Sequence, residues 1–295
     1  MSMRSKPCPP APRSSLATRL PRTLRWTALL ATLMACEIPA GPTPAGGAAG
    51  SAPGTAPGTS APGSAAASDP SVPAWFRGFY NVTSITTDAT SVIIRTTDVP
   101  DHKSPFFGKT SPKYEAYNGD NPSFNTAINL MGMVSDPTLK AQDITLRIPK
   151  NPKVAATHTA TGLGAIGVAV NGVVLYNQYN GRRALLDSLE FNNMDQYGGH
   201  PTPAPALQYH YHVEPVHLTK TLGADALMAY LLDGFPVYGP EENGVRLRSA
   251  DLDAYHGHEH PTPEYPNGIY HYHFTDDAPW LNGDAYYGTP GTATR

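Results

Sequence analysis

The sequence predicts a mainly β protein, a sandwich or barrel-like single domain with an internal two-fold repeat that follows a disordered linker. Three observations support this fold class. The 295 residues include 31 Pro and 27 Gly but only 15% charged residues, which is typical of loop-rich β proteins and not of helical bundles. Short alternating or β-branched segments recur along the chain. Two groups of matching sequence blocks, each ending in Tyr-His-Tyr-His, follow one another in the second half.

Residues 1–35 are predicted to be a lipoprotein signal peptide. They contain six basic residues and no acidic one, and they end in an apolar run of ten residues at 26–35. A bilayer span needs about 20 apolar residues, so the shorter run indicates a signal peptide. The sequence Leu-Met-Ala-Cys at 33–36 resembles a bacterial lipobox, which predicts lipidation of Cys36. Ordinary secretory cleavage near Ala40, with Cys36 discarded, is the alternative.

The same segment predicts a location. The residue after Cys36 is Glu37 and not Asp. By resemblance to known lipoprotein sorting, this predicts that the protein is carried to the outer membrane, where it lies on the periplasmic face or at the cell surface. The membrane is then a partner through the lipid at Cys36, whereas a small-molecule or protein partner is not identified. Without residues 1–35 the chain carries 15 basic and 24 acidic residues, so a nucleic-acid partner is excluded.

Residues 36–71 form the predicted linker. They are mostly Ala, Gly, Pro, Ser and Thr and contain no aromatic residue, so they cannot bury enough apolar surface to offset their conformational entropy. The folded domain is predicted to span 72–295. Because the only cysteines are Cys8 and Cys36, no disulfide is expected in this domain.

Strand signals dominate the predicted domain. Five segments alternate, are β-branched or are short and apolar, namely 81–86, 91–97, 144–148, 164–170 and 173–176. The last two flank Asn171-Gly172, which predicts a tight hairpin. Residues 224–231 fit a helix or a strand equally well, and Ser249 is expected to cap a short turn through Asp253.

Two copies of one unit are predicted, at about 165–215 and about 227–276. In each copy, a hairpin segment, a Gly-His loop and a Tyr-His-Tyr-His segment follow in the same order. The matching blocks are 171–176 with 233–239, 195–200 with 253–258, and 209–212 with 270–273. The chain therefore contains a duplicated supersecondary unit.

The sequence resembles the YHYH-domain family in its bacterial lipoprotein form. Both Tyr-His-Tyr-His blocks, both Gly-His loops, the segment 164–172 and the segment 233–240 match features of that family. Family members often have Cys at the positions of Tyr197 and Tyr255, so any bridge between those positions is absent here. The resemblance implies the domain type but not the chemistry.

The duplicated histidines are predicted to bind metal. Alternate residues of a strand share a face, so the two histidines of each Tyr-His-Tyr-His segment point together and the tyrosines point into the core. Imidazole is the commonest protein metal ligand. In each repeat, the histidine of the Gly-His loop supplies a third imidazole beside the two of the Tyr-His-Tyr-His segment. The predicted metal ligands are His200, His210, His212, His258, His271 and His273. Additional ligands, or residues that orient the ligands, are His256, His260, Asp195 and Asp253, the two carboxylates being equally compatible with loop caps.

Several alternatives remain open from the sequence. Four histidines share one ion, or each repeat builds its own three-histidine site. Copper is the first choice of metal because of its place in the affinity order for nitrogen ligands, and zinc is the second. The protein is then a metal binder, a metal-dependent oxidative or hydrolytic enzyme outside the cytoplasm, or a metal-free structural module. The isolated histidines 102, 158 and 217 are expected in loops.

Overall fold

The predicted strand segments form two β-sheets and a short two-stranded ribbon in the computed structural model, which describes residues 70–124 and 139–295. This confirms the mainly β fold class. The predicted signal peptide, Cys36 and linker residues 37–69 lie outside the described residues. None of the helices in the described part combines the length and the apolar character needed to cross a bilayer.

The smaller sheet contains four antiparallel strands in the order β1-β2-β3-β14. These strands are β1 (Ser84–Thr87), β2 (Ser91–Thr96), β3 (Ile144–Pro149) and β14 (Thr292–Thr294). Burial alternates along β2 and β3, as expected for a sheet with one face in the core. Val92 and Ile94 face inward beside Ile144, Leu146 and Ile148.

The larger sheet contains eight strands in the order β12-β13-β9-β8-β4-β5-β7-β6. Its strands are β4 (Gly167–Ala169), β5 (Val174–Leu175), β6 (Gly199–Pro201), β7 (Tyr209–Tyr211), β8 (Leu227–Leu231), β9 (Pro236–Tyr238), β12 (Gly257–His260) and β13 (Ile269–His273). The ribbon consists of β10 (Glu241–Glu242) and β11 (Val245–Arg246). Ile94 and Leu146 of the smaller sheet share one hydrophobic cluster with Val168 and Tyr230 of the larger sheet. The arrangement is therefore sandwich-like.

The internal repeat is visible as a two-fold symmetry of the larger sheet. Strands β4, β5, β7 and β6 form one half, and β8, β9, β13 and β12 form the other half in the mirrored order. The halves meet where β4 pairs with β8, and there Val168 faces Tyr230. An offset of 62 residues relates these two positions, and the neighbouring pairs exchange under the same offset. A local two-fold axis thus passes through the Val168–Tyr230 pair.

Both predicted hairpin turns form, and each places a glycine in the left-handed region. Gly172 has φ of +80° and Gly234 has φ of +89°. A Cβ atom at Gly172 would lie 2.7 Å from the carbonyl oxygen of Asn81, which precedes β1, and 3.0 Å from the hydroxyl of Thr96 in β2 of the smaller sheet. Glycine is therefore required both by the backbone conformation and by the close approach of the two sheets.

The residue before each turn glycine supports the Tyr-His-Tyr-His strand. The Asn171 amide donates to the Tyr211 hydroxyl at 3.2 Å, and the Tyr272 hydroxyl donates to the Asp233 carboxylate at 2.6 Å. Tyr209, Tyr211, Tyr270 and Tyr272 are all buried, as predicted from strand alternation. The histidines of β7 and β13 are thereby fixed on the opposite face of the sheet.

Helical segments are short. The α-helices are α1 (Ser188–Phe191) and α2 (Val216–Leu222), and 3-10 helices cover Ala74–Gly78 and Ser249–Asp251. The ambiguous segment 224–231 contributes the central strand β8, whose residues are buried on both faces and therefore show no period of two. A short 3-10 turn is present at Ser249–Asp251, but its N-cap is Arg248, so the prediction that Ser249 caps the turn is wrong. The sequence did not predict α2.

Candidate metal centres

Strand pairing brings the third histidine of each repeat beside the other two. In the first repeat, β6 pairs with β7 so that His200 lies opposite His210. In the second repeat, β12 pairs with β13 so that His258 lies opposite His271. Because the Gly-His loop leads directly into β6 or β12, one local turn fixes the position of the third imidazole in both copies.

The first cluster consists of His200, His210 and His212, all buried. Their ligand nitrogens lie within 4.8 Å of one another, and the Nε2 atoms of His210 and His212 are 3.1 Å apart. Neither ring nitrogen of His200 has a hydrogen-bond partner among the described residues. A buried polar atom without a partner is costly, which indicates that this ring is built to meet a ligand.

The other ring nitrogens set the tautomers of this cluster. His210 Nδ1 lies 3.2 Å from the carbonyl oxygen of Gln208, and His212 Nδ1 lies 2.6 Å from that of Asn177. A carbonyl oxygen only accepts hydrogen bonds, so each Nδ1 carries the proton and each Nε2 carries a free lone pair. Two lone pairs that face each other at 3.1 Å repel unless a cation lies between them.

The second cluster consists of His258, His260, His271 and Glu242, with His273 beside them. His258 Nε2 lies 3.2 Å from His260 Nε2 and 3.1 Å from His273 Nε2. Glu242 Oε1 contacts His260 Nε2, and Glu242 Oε2 lies 3.6 Å from His258 Nε2. His271 Nε2 is buried without a hydrogen-bond partner among the described residues. This cluster therefore offers four imidazoles and one carboxylate.

The second repeat reproduces the carbonyl contacts of the first. His271 Nδ1 lies 2.9 Å from the carbonyl oxygen of Ile269, and His273 Nδ1 lies 2.8 Å from that of Gly239. Ile269 corresponds to Gln208 in the repeat, and Gly239 corresponds to Asn177. Both copies of the domain thus orient both strand histidines with Nε2 toward the cluster.

The separations match those of ligands around one ion. Two nitrogens bound at about 2.0–2.1 Å, at angles between square-planar and tetrahedral values, are about 2.9–3.4 Å apart. The closest Nε2 pairs in the two clusters are 3.1–3.2 Å apart. The geometry is therefore suited to a transition-metal ion that prefers either square-planar or tetrahedral coordination.

Burial keeps the imidazoles neutral. It lowers the pKa of His212 and of His271 to about 4 and that of His273 to about 3. Burial, followed by repulsion from neighbouring imidazoles, also holds the pKa of His200 and His210 well below the usual range. Neutral imidazole is the form that binds metal, so protons do not compete for these atoms near neutral pH.

The two clusters are separate sites. Strands β5, β4, β8 and β9 lie between β7 and β13. Five strand spacings of about 4.8 Å place the clusters about 24 Å apart along the sheet. One ion shared by the four strand histidines is therefore excluded, and each repeat forms its own cluster.

Of the four predicted additional residues, only His260 joins a cluster. His256 adopts a left-handed φ of 74°, and its ring contacts the carbonyl oxygen of His273 and the hydroxyls of Ser249 and Thr275. His256 is the residue of the second repeat that corresponds to Gly198 in the first, and its contacts fix the conformation of the loop. The structure therefore places His256 outside the second cluster, with both ring nitrogens engaged in these contacts.

The two predicted aspartates are loop caps. Asp195 accepts from the backbone amide of Tyr197 at 2.9 Å and from the Tyr209 hydroxyl at 2.9 Å. Asp253 accepts from the amide of Tyr255 and from the Tyr270 hydroxyl, both at 2.8 Å. These contacts correspond to the loop-cap alternative, and they couple each Gly-His turn to the first tyrosine of its strand.

Other features were not predicted from the sequence. Glu242 has no acidic counterpart in the first repeat, where Asn180 stands at the same offset, so the repeat gave no signal for it. His102 lies in a loop, as the sequence predicts, but it is buried there and lies 3.0 Å from the Tyr211 hydroxyl. His217 lies on α2 beside Asp101.

Each cluster opens into a cavity, and the cavities differ in size. The cavity at the first cluster has a volume of about 600 Å³ and is lined by all three of its imidazoles. The cavity at the second cluster has a volume of about 200 Å³ and is lined by His260, His271, His273 and Glu242.

A β-sheet domain that holds two histidine clusters of this geometry belongs to the class of His-rich candidate metal-binding proteins. Residues 145–246 and 241–286 match the family model described as YHYH protein. The chain therefore contains a YHYH domain, as the resemblance in its sequence implied. Comparison with curated proteins gave no match, and neither did comparison with solved structures.

Proposed function

We propose that the protein binds two transition-metal ions, one in each repeat, with copper as the preferred metal and zinc as the second choice. One observation carries the proposal. In both repeats the strand histidines donate through Nδ1 to equivalent carbonyls, and one of their Nε2 atoms lies about 3.1 Å from another imidazole Nε2. In the first repeat both atoms of this contact carry lone pairs, and a metal-free structural module would leave them in repulsive contact, which disfavours that alternative.

The donor set guides the choice of metal. Imidazole nitrogens suit Cu²⁺ and Zn²⁺, and Cu²⁺ ranks above Zn²⁺ in the general affinity order for such ligands. No cysteine follows Cys36 in the sequence, so a thiolate-based copper site is excluded. The carboxylate of Glu242 adds a harder ligand to the second cluster and favours a divalent ion there.

The proposed setting is outside the cytoplasm. We propose that the chain is exported, lipidated at Cys36 and anchored to the outer membrane, with the domain tethered by residues 36–71. The basic segment, the apolar run and the lipobox-like sequence support this proposal. Mass spectrometry of the mature N-terminus tests it directly. A Cys36→Ala variant should lose the acyl mass and leave the membrane fraction, and a variant that stays membrane-bound would contradict the anchor.

Metal content tests the central proposal. The mature protein, purified without a histidine tag and exposed to Cu²⁺ or Zn²⁺, should carry two ions per chain by elemental analysis. The double variant His210→Ala/His212→Ala and the double variant His271→Ala/His273→Ala should each lose one. His217→Ala is the matched control because that histidine lies outside both clusters. Unchanged metal content in both double variants would refute the proposal.

An enzymatic role is a second candidate because of the cavity beside the first cluster. Pockets of about 300–1,000 Å³ are typical of small-molecule sites, and this one is about 600 Å³. Turnover of an oxidisable or hydrolysable substrate by the metal-loaded protein, lost in His200→Ala, would support this candidate. Storage or sequestration of the ion requires no such cavity.

A further inference from the structure

The two clusters differ in how many ligands the protein supplies. The second cluster contains four imidazoles and the carboxylate of Glu242, which is enough to complete a four-coordinate ion. The first cluster contains three imidazoles, and Thr202 and Asn180 occupy the positions of His260 and Glu242. Three protein ligands leave at least one coordination position for another molecule.

The free position at the first cluster faces the larger cavity. His200, His210 and His212 all line its wall, so an ion held among them is reached from that space. Glu190 also lines it, and its carboxylate oxygen Oε2 lies 4.0 Å from His200 Nε2. This carboxylate is not part of the ligand group within 4.8 Å.

The remaining wall is suited to an aromatic ring. Tyr176 stacks on His210 with ring centroids 4.0 Å apart and planes inclined by 23°. Tyr179, Leu163 and Leu189 also line the cavity. An aromatic molecule with one end at the ion would bury its ring against these side chains.

Charge indicates which atom such a molecule presents. Three neutral imidazoles contribute no negative charge to a divalent ion in a buried site, and the carboxylate of Glu190 lies outside the ligand group, which favours an anionic oxygen as the next ligand. In the second cluster, the carboxylate of Glu242 supplies that compensation.

We infer that the first cluster binds an external phenol or catechol, which coordinates the ion through its oxygen and places its ring in the cavity. The second cluster binds its ion with protein ligands alone. This inference rests on the proposed metal-binding function, and it assigns ligand binding to one repeat only.

The test uses the mature protein loaded with Cu²⁺ and two probes followed by optical absorption, azide and 4-nitrocatechol. Both should shift the spectrum of the wild type and of His258→Ala, and neither should do so in His200→Ala. Leu163→Trp narrows the cavity at a partly exposed residue and is expected to fold. This substitution should weaken the binding of 4-nitrocatechol about tenfold and change the binding of azide by less than about twofold. Only the larger probe needs the space in the cavity.

The outcomes separate this inference from the proposed function. Protein that binds two copper ions but responds to neither probe would retain the metal-binding function and overturn the external ligand. A response that appears only in Glu190→Gln would also overturn it, because Glu190 would then be the fourth ligand. Equal weakening of both probes, or of neither, in Leu163→Trp would overturn the role of the cavity. Protein that binds no metal would overturn both proposals.

Discussion

Acidification provides a quantitative test of the first cluster. Burial lowers the pKa of His212 to about 4 and holds those of His200 and His210 well below the usual range, so these imidazoles resist protonation on acidification more than ordinary histidines do. Metal affinity at this cluster should therefore be nearly the same at pH 7.5 and pH 5.0. Ordinary histidine clusters lose affinity over this interval because protons compete for the ligand nitrogens.

The difference between the two cases is large. At pH 5.0 an imidazole with a pKa of about 6.5 is neutral in about one molecule in 30, so three such ligands reduce affinity by about 3 × 10⁴-fold. With a pKa of about 4, as for His212, about nine in ten molecules remain neutral. Protonation of His212 at pH 5.0 therefore reduces affinity by less than about twofold.

Competition against a chromophoric chelator at both pH values measures the affinity. The variant His258→Ala/His260→Ala isolates the first cluster, because it removes two ligands of the second. Circular dichroism at pH 5.0 establishes that the protein remains folded. A loss of affinity above about 10³-fold in folded protein would show that these imidazoles titrate as exposed ones and would refute the reasoning.

Three further predictions concern stability. In metal-free protein the histidines of the unfolded chain have a pKa of about 6.5, whereas folded His212 and His271 have a pKa of about 4. The unfolded chain therefore binds more protons between these two values, so the free energy of unfolding measured by chemical denaturation should fall as the pH is lowered from about 6.5 to about 4. The pKa of Asp195, raised to about 6 by burial, offsets part of this loss. Gly172→Ala should lower the free energy of unfolding by at least about 1–2 kcal/mol by urea titration, with Gly181→Ala, which has open space, as the near-neutral control. Tyr209→Phe should cost about 1–2 kcal/mol in the same assay because a buried hydrogen bond to Asp195 is lost, and an unchanged midpoint would contradict its role.

The sequence predicts the parts of this fold that depend on local periodicity. β-Branched residues indicate β2, alternation indicates β3, the Asn171-Gly172 pair indicates the first hairpin, and matching blocks indicate the repeat. The segment 224–231 was ambiguous because a strand buried on both faces has no polar alternation. Local pattern therefore reveals strands that face solvent on one side more readily than central ones.

The sequence predicts the histidines of both clusters, including the third ligands His200 and His258, but not the groups that surround them. The spacing of the Tyr-His-Tyr-His segments predicts two imidazoles on one face. The carbonyls that fix the tautomers of His212 and His273, however, belong to Asn177 and Gly239, which lie just after the strands paired in parallel with β7 and β13. Parallel pairing between distant segments leaves no local signal. The sequence likewise does not distinguish one ion shared by both repeats from a separate ion in each repeat. The distance between the two histidine clusters depends on the order of the strands in the sheet.

The duplicated scaffold isolates the residues that make the two clusters different. In the first repeat, the strand pairing that places His200 opposite His210 continues to Thr202, which bonds to Gln208. In the second repeat, the equivalent pairing places His260 opposite Ile269, so Thr202 and His260 occupy equivalent positions. Glu242 lies on the β10–β11 ribbon at the position of Asn180. Two side chains thus distinguish a cluster with complete protein ligands from one with a free position.

Exchange of those two side chains should convert the second cluster into the type of the first. Glu242→Asn/His260→Thr leaves His258, His271 and His273, and the contacts of His271 and His273 with the carbonyls of Ile269 and Gly239 are retained. In a His200→Ala background, which silences the first cluster, Cu²⁺ at the altered cluster should acquire a response to azide. The same background with Glu242 and His260 intact is the matched control and should remain silent. If the double exchange binds Cu²⁺ without responding to azide, the difference between the clusters does not reside in these two positions. The surrounding cavity, about 200 Å³ against about 600 Å³, would then determine access.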